Sequence, residues 1–312
     1  MTYTGIVLSQ SHNLYSVCLA DQHTTLLTAR VSGKMMHNAA SPADYPAVGD
    51  HVDLVWDGHS ASAVIQALQP RKSALGRIGD PVTCERQVIA ANLDMLVMCM
   101  SLNQNFSLGR AERYVAAALA GNVSPLIILT KADLCPDAEA RLALIRQDLP
   151  HVPVMLNDIA TMPAVAFLRS LLQQEKVLGF AGSSGVGKST LINAVLGQDI
   201  MQTAAIREYD GRGRHTTTHR ELIFSPWGGA VIDTPGMRAF ALDDADVSGV
   251  YVDLADLAAQ CRFRNCTHTH EPGCAVRKGI EDGTIDPRQA ARFLAMIEEE
   301  AARERKRKHF RR

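Results

Sequence analysis

Eight consecutive residues, Gly182-Ser183-Ser184-Gly185-Val186-Gly187-Lys188-Ser189, fit the pattern G-x-x-x-x-G-K-[ST] without mismatch. The pattern predicts a loop that binds phosphate. Its glycines let backbone N–H groups turn toward phosphate oxygens, at the positive end of the helix that follows. In such a loop Lys188 reaches the β- and γ-phosphates and the Ser189 hydroxyl ligates Mg²⁺. We take Gly182 to Thr190 as the nucleotide-binding stretch. The context agrees, because an apolar run from Val177 to Ala181 precedes it and a helical pattern from Leu191 to Leu196 follows.

Two further clusters bear on a nucleotide. Asp233-Thr234-Pro235-Gly236 ends an apolar run, Ala230 to Ile232. A carboxylate there can hold Mg²⁺, often through water, and the Gly236 N–H can meet a γ-phosphate. By itself the tetrapeptide is a common turn; its position downstream of the phosphate loop gives it meaning. Thr130-Lys131-Ala132-Asp133 follows the apolar run Leu126 to Leu129. The Asp133 carboxylate can accept hydrogen bonds from N1–H and the exocyclic amine of guanine, a donor pair that adenine lacks. The stem of Lys131 can lie along the base. A wrong base would leave a buried acceptor unpaired, so discrimination of this kind is large.

Cys261-x₄-Cys266-x-His268-x₅-Cys274 offers three thiolates and one imidazole. That is the donor set of a closed structural Zn²⁺ site. His270 is an alternative ligand. With four protein ligands the expected zinc is structural, not hydrolytic. Arg262, Arg264, Arg277 and Lys278 surround the cluster and suit phosphate contact. The remaining cysteines, Cys18, Cys84, Cys99 and Cys135, are scattered and read as neutral residues of a reducing compartment.

The elements that must position these groups fall into three parts. Residues 1–70 read as short strands, among them Thr4 to Ser9, Leu14 to Leu19, Thr25 to Ala29 and Val52 to Val55. About five strands in that length suit a small barrel such as an OB-fold, with a small SH3-like barrel as the rival. Gln69 to Pro81 reads as a linker. Residues 71–243 alternate strand and helix, which predicts a parallel sheet covered on both faces, with ligands at the carboxyl ends of its strands. Gln202 to Thr218 is polar and aperiodic and reads as a mobile loop. Residues 244–312 read as mostly helical, with Pro287 to Glu304 an amphipathic helix running into a basic tail.

Charge and hydropathy limit the partners. The last ten residues hold seven Lys or Arg and one acid, a net +6, against −1 for all 312 residues; the rest therefore carries −7. A basic block of this kind suits a polyanion. No apolar run approaches a membrane span, and Met1 to His12 lacks the pattern of a secretory signal. A soluble, cytoplasmic, monomeric protein is expected.

Taken together, the motifs resemble those of P-loop GTPases in altered order, with the base-reading motif first. The whole chain resembles one family, the circularly permuted GTPases that depend on the small ribosomal subunit and assist its maturation. The resemblance rests on the barrel, the reordered T-K-A-D, G-S-S-G-V-G-K-S-T and D-T-P-G motifs, the loop Gly211-Arg-Gly-Arg-His215-Thr216-Thr217-Thr218 and the C-x₄-C-x-H-x₅-C knuckle. It implies GTP hydrolysis stimulated by the small subunit, rRNA contact by barrel and zinc domain, and one bound zinc. A threonine of the polar loop would complete the Mg²⁺ shell; Thr217 is favoured, with Thr216 and Thr218 as alternatives. Met237 stands where many GTPases carry a water-orienting glutamine, so His215 becomes the candidate for that role. The chain departs from common GTPase sequences at Thr130, where asparagine is usual, and near Asn157-Asp158, which has no S-A-K-like sequence.

Two other readings belong to different classes. One is an RNA-binding scaffold in which nucleotide only sets conformation; the other is a P-loop ATPase or small-molecule kinase. Asp133→Asn separates the last from a GTPase. Nucleotide affinities measured on that variant are expected to fall for GTP and rise for the xanthine nucleotide, whereas an ATPase would be indifferent.

Overall fold

A computed structural model describes residues 1–11, 13–78, 86–103, 106–200, 221–233, 251–264 and 266–310. The chain begins with β1 (Thr2–Ser11), β2 (Leu14–Leu19), β3 (Leu26–Val31), helix α1 (Gly33–Asn38), β4 (His51–Val55) and β5 (Ser62–Leu68). β1 pairs antiparallel with both β2 and β4, β2 with β3, and β4 with β5, while β3 and β5 run parallel. The circuit 1-2-3-5-4-1 closes a five-stranded Greek-key barrel. This is the OB-fold connectivity, which decides between the two barrels the strand count allowed. Alternate residues point inward as a strand's period of two demands, so Val7, Val17, Leu27, Ala29, Val52, Leu54 and Ile65 fill the interior.

The segment expected to be a linker is stapled to both of its neighbours. Gln69 donates to the Asp53 carboxylate (2.9 Å) and Ser73 to the Leu93 carbonyl (2.6 Å). Arg71 holds both carboxylate oxygens of Asp50 at 2.7 Å and donates to the carbonyls of Ala43 and Tyr45. The chain then forms a hairpin, β6 (Ala74–Ile78) with β7 (Arg86–Ala91). The pentapeptide Ala-Leu-Gly-Arg-Ile carries too little apolar alternation to announce a strand. Pairing with β7 and packing of the buried Leu75 make it one.

The central unit adds β8 (Met95–Ser101), α2 (Leu108–Ala120), β9 (Ser124–Thr130), α3 (Ala138–Asp148), β10 (Val154–Asn157), α4 (Pro163–Leu172), β11 (Val177–Gly182), α5 (Lys188–Leu196), β12 (Glu221–Phe224) and β13 (Ala230–Asp233). The spatial order is β10-β9-β8-β11-β13-β12. All neighbours are parallel except β12, which is antiparallel to β13. β8 and β9 read as nearly unbroken apolar runs because both of their faces are covered. Tyr114 and Val115 of α2 and Leu142 and Ile145 of α3 join the core on one face; Leu168 and Leu172 of α4 and Leu191, Ile192 and Val195 of α5 join the core on the other. The first-synthesised strands, β8 to β10, form one half of the sheet and the later strands the other, and they meet where β8 pairs with β11. The sheet does not stop at β12. Ser9 of β1 pairs with Glu221, joining barrel and central sheet into eleven continuous strands. His23 stacks on Phe224 beside this junction, with ring centroids 3.9 Å apart.

The last part contains α6 (Val252–Ala259), α7 (Ala275–Glu281) and α8 (Pro287–Phe310), around Tyr251, Leu254, Val276, Ile285, Phe293 and Met296. Arg292 of α8 fastens it to the central unit, reaching Glu112 of α2 (2.5 Å) and Asp148 of α3 (2.7 Å), both carboxylates almost fully buried. Gln289 adds a bond to the Gln147 carbonyl at 2.9 Å. α8 runs beyond the expected Glu304 to Phe310. Lys and Arg are good helix formers and are favoured at a helix carboxyl end. Among the described residues, no helix is long and apolar enough to cross a membrane.

The Arg71–Asp50 pair should matter for stability, because Asp50 is 0% exposed. Removing one partner of a buried pair strands the other charge. Arg71→Met is expected to lower stability by about 3 kcal/mol, read as a shift of the urea unfolding transition.

Candidate active site and metal centre

The phosphate loop hangs between the carboxyl end of β11 and the first turn of α5. Two glycines are there for different reasons. Gly182 has φ +154°, and a Cβ on it would lie 2.5 Å from the Cys99 carbonyl oxygen of β8. Gly187 has φ +93° with no atom closer than 3.8 Å to such a Cβ, so the left-handed backbone alone requires it. Val186 is 1% exposed and plugs into the core beneath, which fixes the loop's path. No side chain caps α5. Its first-turn amides therefore remain available to an anion. Ser183, Ser189 and Thr190 are half-buried along this rim, and Ser184 and Gly185 are exposed.

Asp233 is brought to the loop by strand register. It pairs with Phe180 of β11 and ends β13 just below the phosphate loop. There its carboxylate forms an ion pair with Lys188. Both side chains are largely withdrawn from water, at 13% and 5% exposure. A lone charge at that depth would be costly, so each satisfies the other. The groups expected to serve phosphate and Mg²⁺ thus lie in direct contact.

The base-reading motif meets the same loop. Thr130 is the last residue of β9 and is buried. Its hydroxyl donates to the Val186 carbonyl at 2.5 Å. Lys131 then takes a left-handed conformation (φ 58°) and Ala132–Leu134 forms a 3₁₀ turn, which leaves Asp133 exposed. The adjacent rim loop, after β10, was unassigned by sequence. It is an Asx turn: Asp158 accepts from the Thr161 hydroxyl (2.5 Å) and from the N–H groups of Thr161 and Ala160. These bonds, the Thr161 hydroxyl first, hold its carboxyl below the usual range. The Thr130 bond was also missed. A threonine in place of the usual asparagine was the available signal. His215, Thr216, Thr217, Thr218, Gly236 and Met237 lie outside the described residues.

In the C-terminal part, the ligand atoms of Cys261, Cys266, His268 and Cys274 all lie within 4.8 Å of one another. The sulfurs of Cys261 and Cys274 are 3.9 Å apart, and His268 Nδ1 is 3.5 Å from each. A tetrahedral zinc with Zn–S bonds of about 2.3 Å would set its sulfurs roughly 3.8 Å apart. The donor set and the spacing both fit that ion. His270 is exposed and bonds Thr269 instead (2.8 Å), so it stands outside the cluster. Amides at the start of α7 face the sulfurs, Ala275 N–H to Cys261 (3.3 Å) and Arg277 N–H to Cys274 (3.4 Å). Burial opposes ionisation of Cys261, but hydrogen bonds from the amides of Ala275 and Val276 and from the Cys274 and Cys266 thiols together hold it below the usual range. Burial lowers the His268 pKa, against a smaller opposing effect of Glu271, and so favours the neutral imidazole, the form that binds metal. Glu271 ties the intervening turn together by accepting from Thr267, Thr269 and His270. The cluster could hold a metal ion.

A family model described as RsgA GTPase matches residues 68–243. A protein named small ribosomal subunit biogenesis GTPase RsgA 2, from Lactiplantibacillus plantarum, is 43% identical over 281 residues, 90% of this chain and 78% of that one. The small ribosomal subunit biogenesis GTPase RsgA of Opitutus terrae is 40% identical over 288 residues, 88% of this chain and 78% of its own. The crystal structure of YjeQ from Thermotoga maritima shares the fold with a TM-score of 0.69 at 24% identity, over 96% of this chain and 99% of that one. A second, YloQ, described as a circularly permuted GTPase, has a TM-score of 0.68 at 22% identity, over 97% and 96%.

Thr130→Val keeps the shape of the side chain and leaves the buried Val186 carbonyl without its donor. That omission costs about 1–3 kcal/mol. GTP and GDP affinities, measured by calorimetry, are expected to fall together by about tenfold, while Thr130→Ser retains them.

Proposed function

This chain belongs to the RsgA GTPase family and is a GTP hydrolase, and we propose that it works in late maturation of the small ribosomal subunit. The names of its relatives supply the subunit. The proposed division of labour is a barrel over 1–70, a GTPase unit over 71–243 and a zinc unit over 244–312. Barrel and zinc unit grip rRNA, and the subunit stimulates hydrolysis. The protein acts as a soluble cytoplasmic monomer.

One observation carries the nucleotide reading: the Thr130 hydroxyl on the Val186 carbonyl, which ties the base-reading turn to the phosphate loop. In our reading Asp133 accepts from the guanine N1–H and amine, with the stem of Lys131 along the base. Thr130 to Asp133 and Gly182 to Thr190 line one cleft. Lys188 exchanges Asp233 for the β- and γ-phosphate oxygens, and Asp233 is thereby released toward the cation, directly or through water. Ser189 and Thr217 complete the Mg²⁺ ligand set, and the Gly236 N–H meets the γ-phosphate. His215 orients the attacking water. Bound Mg²⁺ supplies neutralisation of charge on the phosphate oxygens. Cys261, Cys266, His268 and Cys274 hold one Zn²⁺, which has no open position and serves structure.

Slow turnover by the free protein is expected, because the sequence from Gln202 to Thr218 is polar and aperiodic and Met237 cannot orient a water. The test is GTP turnover with and without purified small subunits at two salt concentrations. The expected result is a rate that rises with subunits and falls back at higher salt, since rRNA contact is electrostatic. Equal rates with and without subunits would overturn the proposal.

A further inference from the structure

The stretch between the first two cysteines of the knuckle carries Arg262, Phe263 and Arg264, and all three are exposed. Phe263 is 41% exposed. Among the described side chains of residues 251–310 it is the one large apolar group on the surface; Tyr251, Leu254, Val276, Ile285, Phe293 and Met296 are all buried. Packing therefore does not account for a phenylalanine at this position.

The backbone that carries the ring is held from several directions. The Phe263 carbonyl accepts from the Cys266 N–H at 3.3 Å, and the Arg262 N–H donates to the Gly273 carbonyl at 3.4 Å. The stem of Arg262 lies against Gly273, where even a Cβ would come within 3.4 Å of it. The Arg262 guanidinium carbon sits 5.6 Å from the Phe263 ring centroid, within cation–π range. The surroundings are cationic. Arg264 and Lys278 are exposed, Glu271 is engaged within its own turn and Glu281 with Arg277, and Asp253 and Asp256 are exposed on the preceding helix α6. An exposed aromatic plane with an arginine on either side in sequence, one of them against the ring, matches an anionic strand that also offers flat apolar faces. Unpaired nucleotides have both, while bases inside a duplex have their faces stacked and unavailable.

We propose that Phe263 is a stacking platform for an unpaired base of RNA, with Arg262 and Arg264 taking the phosphates on either side. This rests on the reading that the zinc unit contacts rRNA, and supplies the residue and the kind of nucleotide. Stacking is a contact to the base, so it should be insensitive to salt, whereas the arginine contacts should not be.

The experiment uses the full chain with its metal content verified, and oligouridylate as the probe. Phe263→Trp is expected to give a fluorescence signal that oligouridylate quenches and duplex RNA does not. Phe263→Ala should lose about tenfold in affinity for oligouridylate with the slope of log affinity against log salt unchanged. Arg264→Gln should reduce that slope by about 0.7. Phe263→Tyr should retain affinity. Because the side chain is exposed, thermal unfolding and GTP turnover without RNA should be the same for all four variants. Wild-type binding of oligouridylate with no effect of Phe263→Ala and no quenching in Phe263→Trp would overturn the platform and leave the RNA reading standing. If Phe263→Ala weakens binding to small subunits but not to oligouridylate, the ring docks on protein and the platform is likewise overturned. Failure of the wild type to bind either RNA or subunits would overturn both.

Discussion

The pairing of β8 with β11 is the constraint on which the site depends. It runs in parallel register from Leu178 opposite Met95 to Gly182 opposite Cys99. The strands on its two sides come from different stretches of chain, with the base-reading motif on one side and the phosphate motifs on the other. Parallel pairing puts their carboxyl ends at the same edge whatever the order of synthesis. The Thr130 hydroxyl then crosses above β8 to the Val186 carbonyl and locks the two sides together. Changing the order of the motifs alters the connections while leaving this edge intact. The tight fit of Gly182 against Cys99 shows how little slack the pairing leaves.

Buried charge recurs where separate parts must keep one relative position. Asp50 holds Arg71 at the exit of the barrel, and Glu112 with Asp148 holds Arg292 where the C-terminal helices meet the central unit. Such pairs lose most of their Coulombic gain to desolvation, so net stability is a weak explanation for them. Geometry is a better one. A guanidinium placed between fixed acceptors accepts only one arrangement of its neighbours, whereas an apolar contact tolerates sliding. Lys188 and Asp233 differ in that a second role is proposed for each, phosphate contact for the one and the cation for the other.

The sequence revealed most where a local pattern determines the outcome. The phosphate loop is specified by its glycines and lysine, and the cysteine cluster by its donors, and β8, β9 and β11 are apolar enough to require burial. The five-stranded barrel was visible as alternation and pointed to an OB-fold, but closure of β1 on β4 and the parallel β3–β5 pair, which separate it from the SH3-like rival, are long-range choices. β6 was invisible for the same reason, being stabilised by a partner and by contacts of Gln69, Arg71 and Ser73 that no local window contains. Asp158 and Thr130 act through hydrogen bonds whose partners composition does not name, and only the threonine in place of the usual asparagine at 130 was a signal. Arg292 looked like one more charge on an amphipathic helix. Its two ion-pair partners lie 180 and 144 residues earlier in the chain.

The junction of barrel and central sheet has a mechanical consequence. Ser9 pairs with Glu221, Glu221 with Asp233, and Asp233 with Phe180, so these residues form one transverse row. Strand spacing puts the barrel's Ser9 about 10 Å from Asp233. β12 cannot shear along one neighbour without straining its bonds to the other. A torque applied to the barrel is therefore borne in part by the strand that flanks the Asp233 carboxylate.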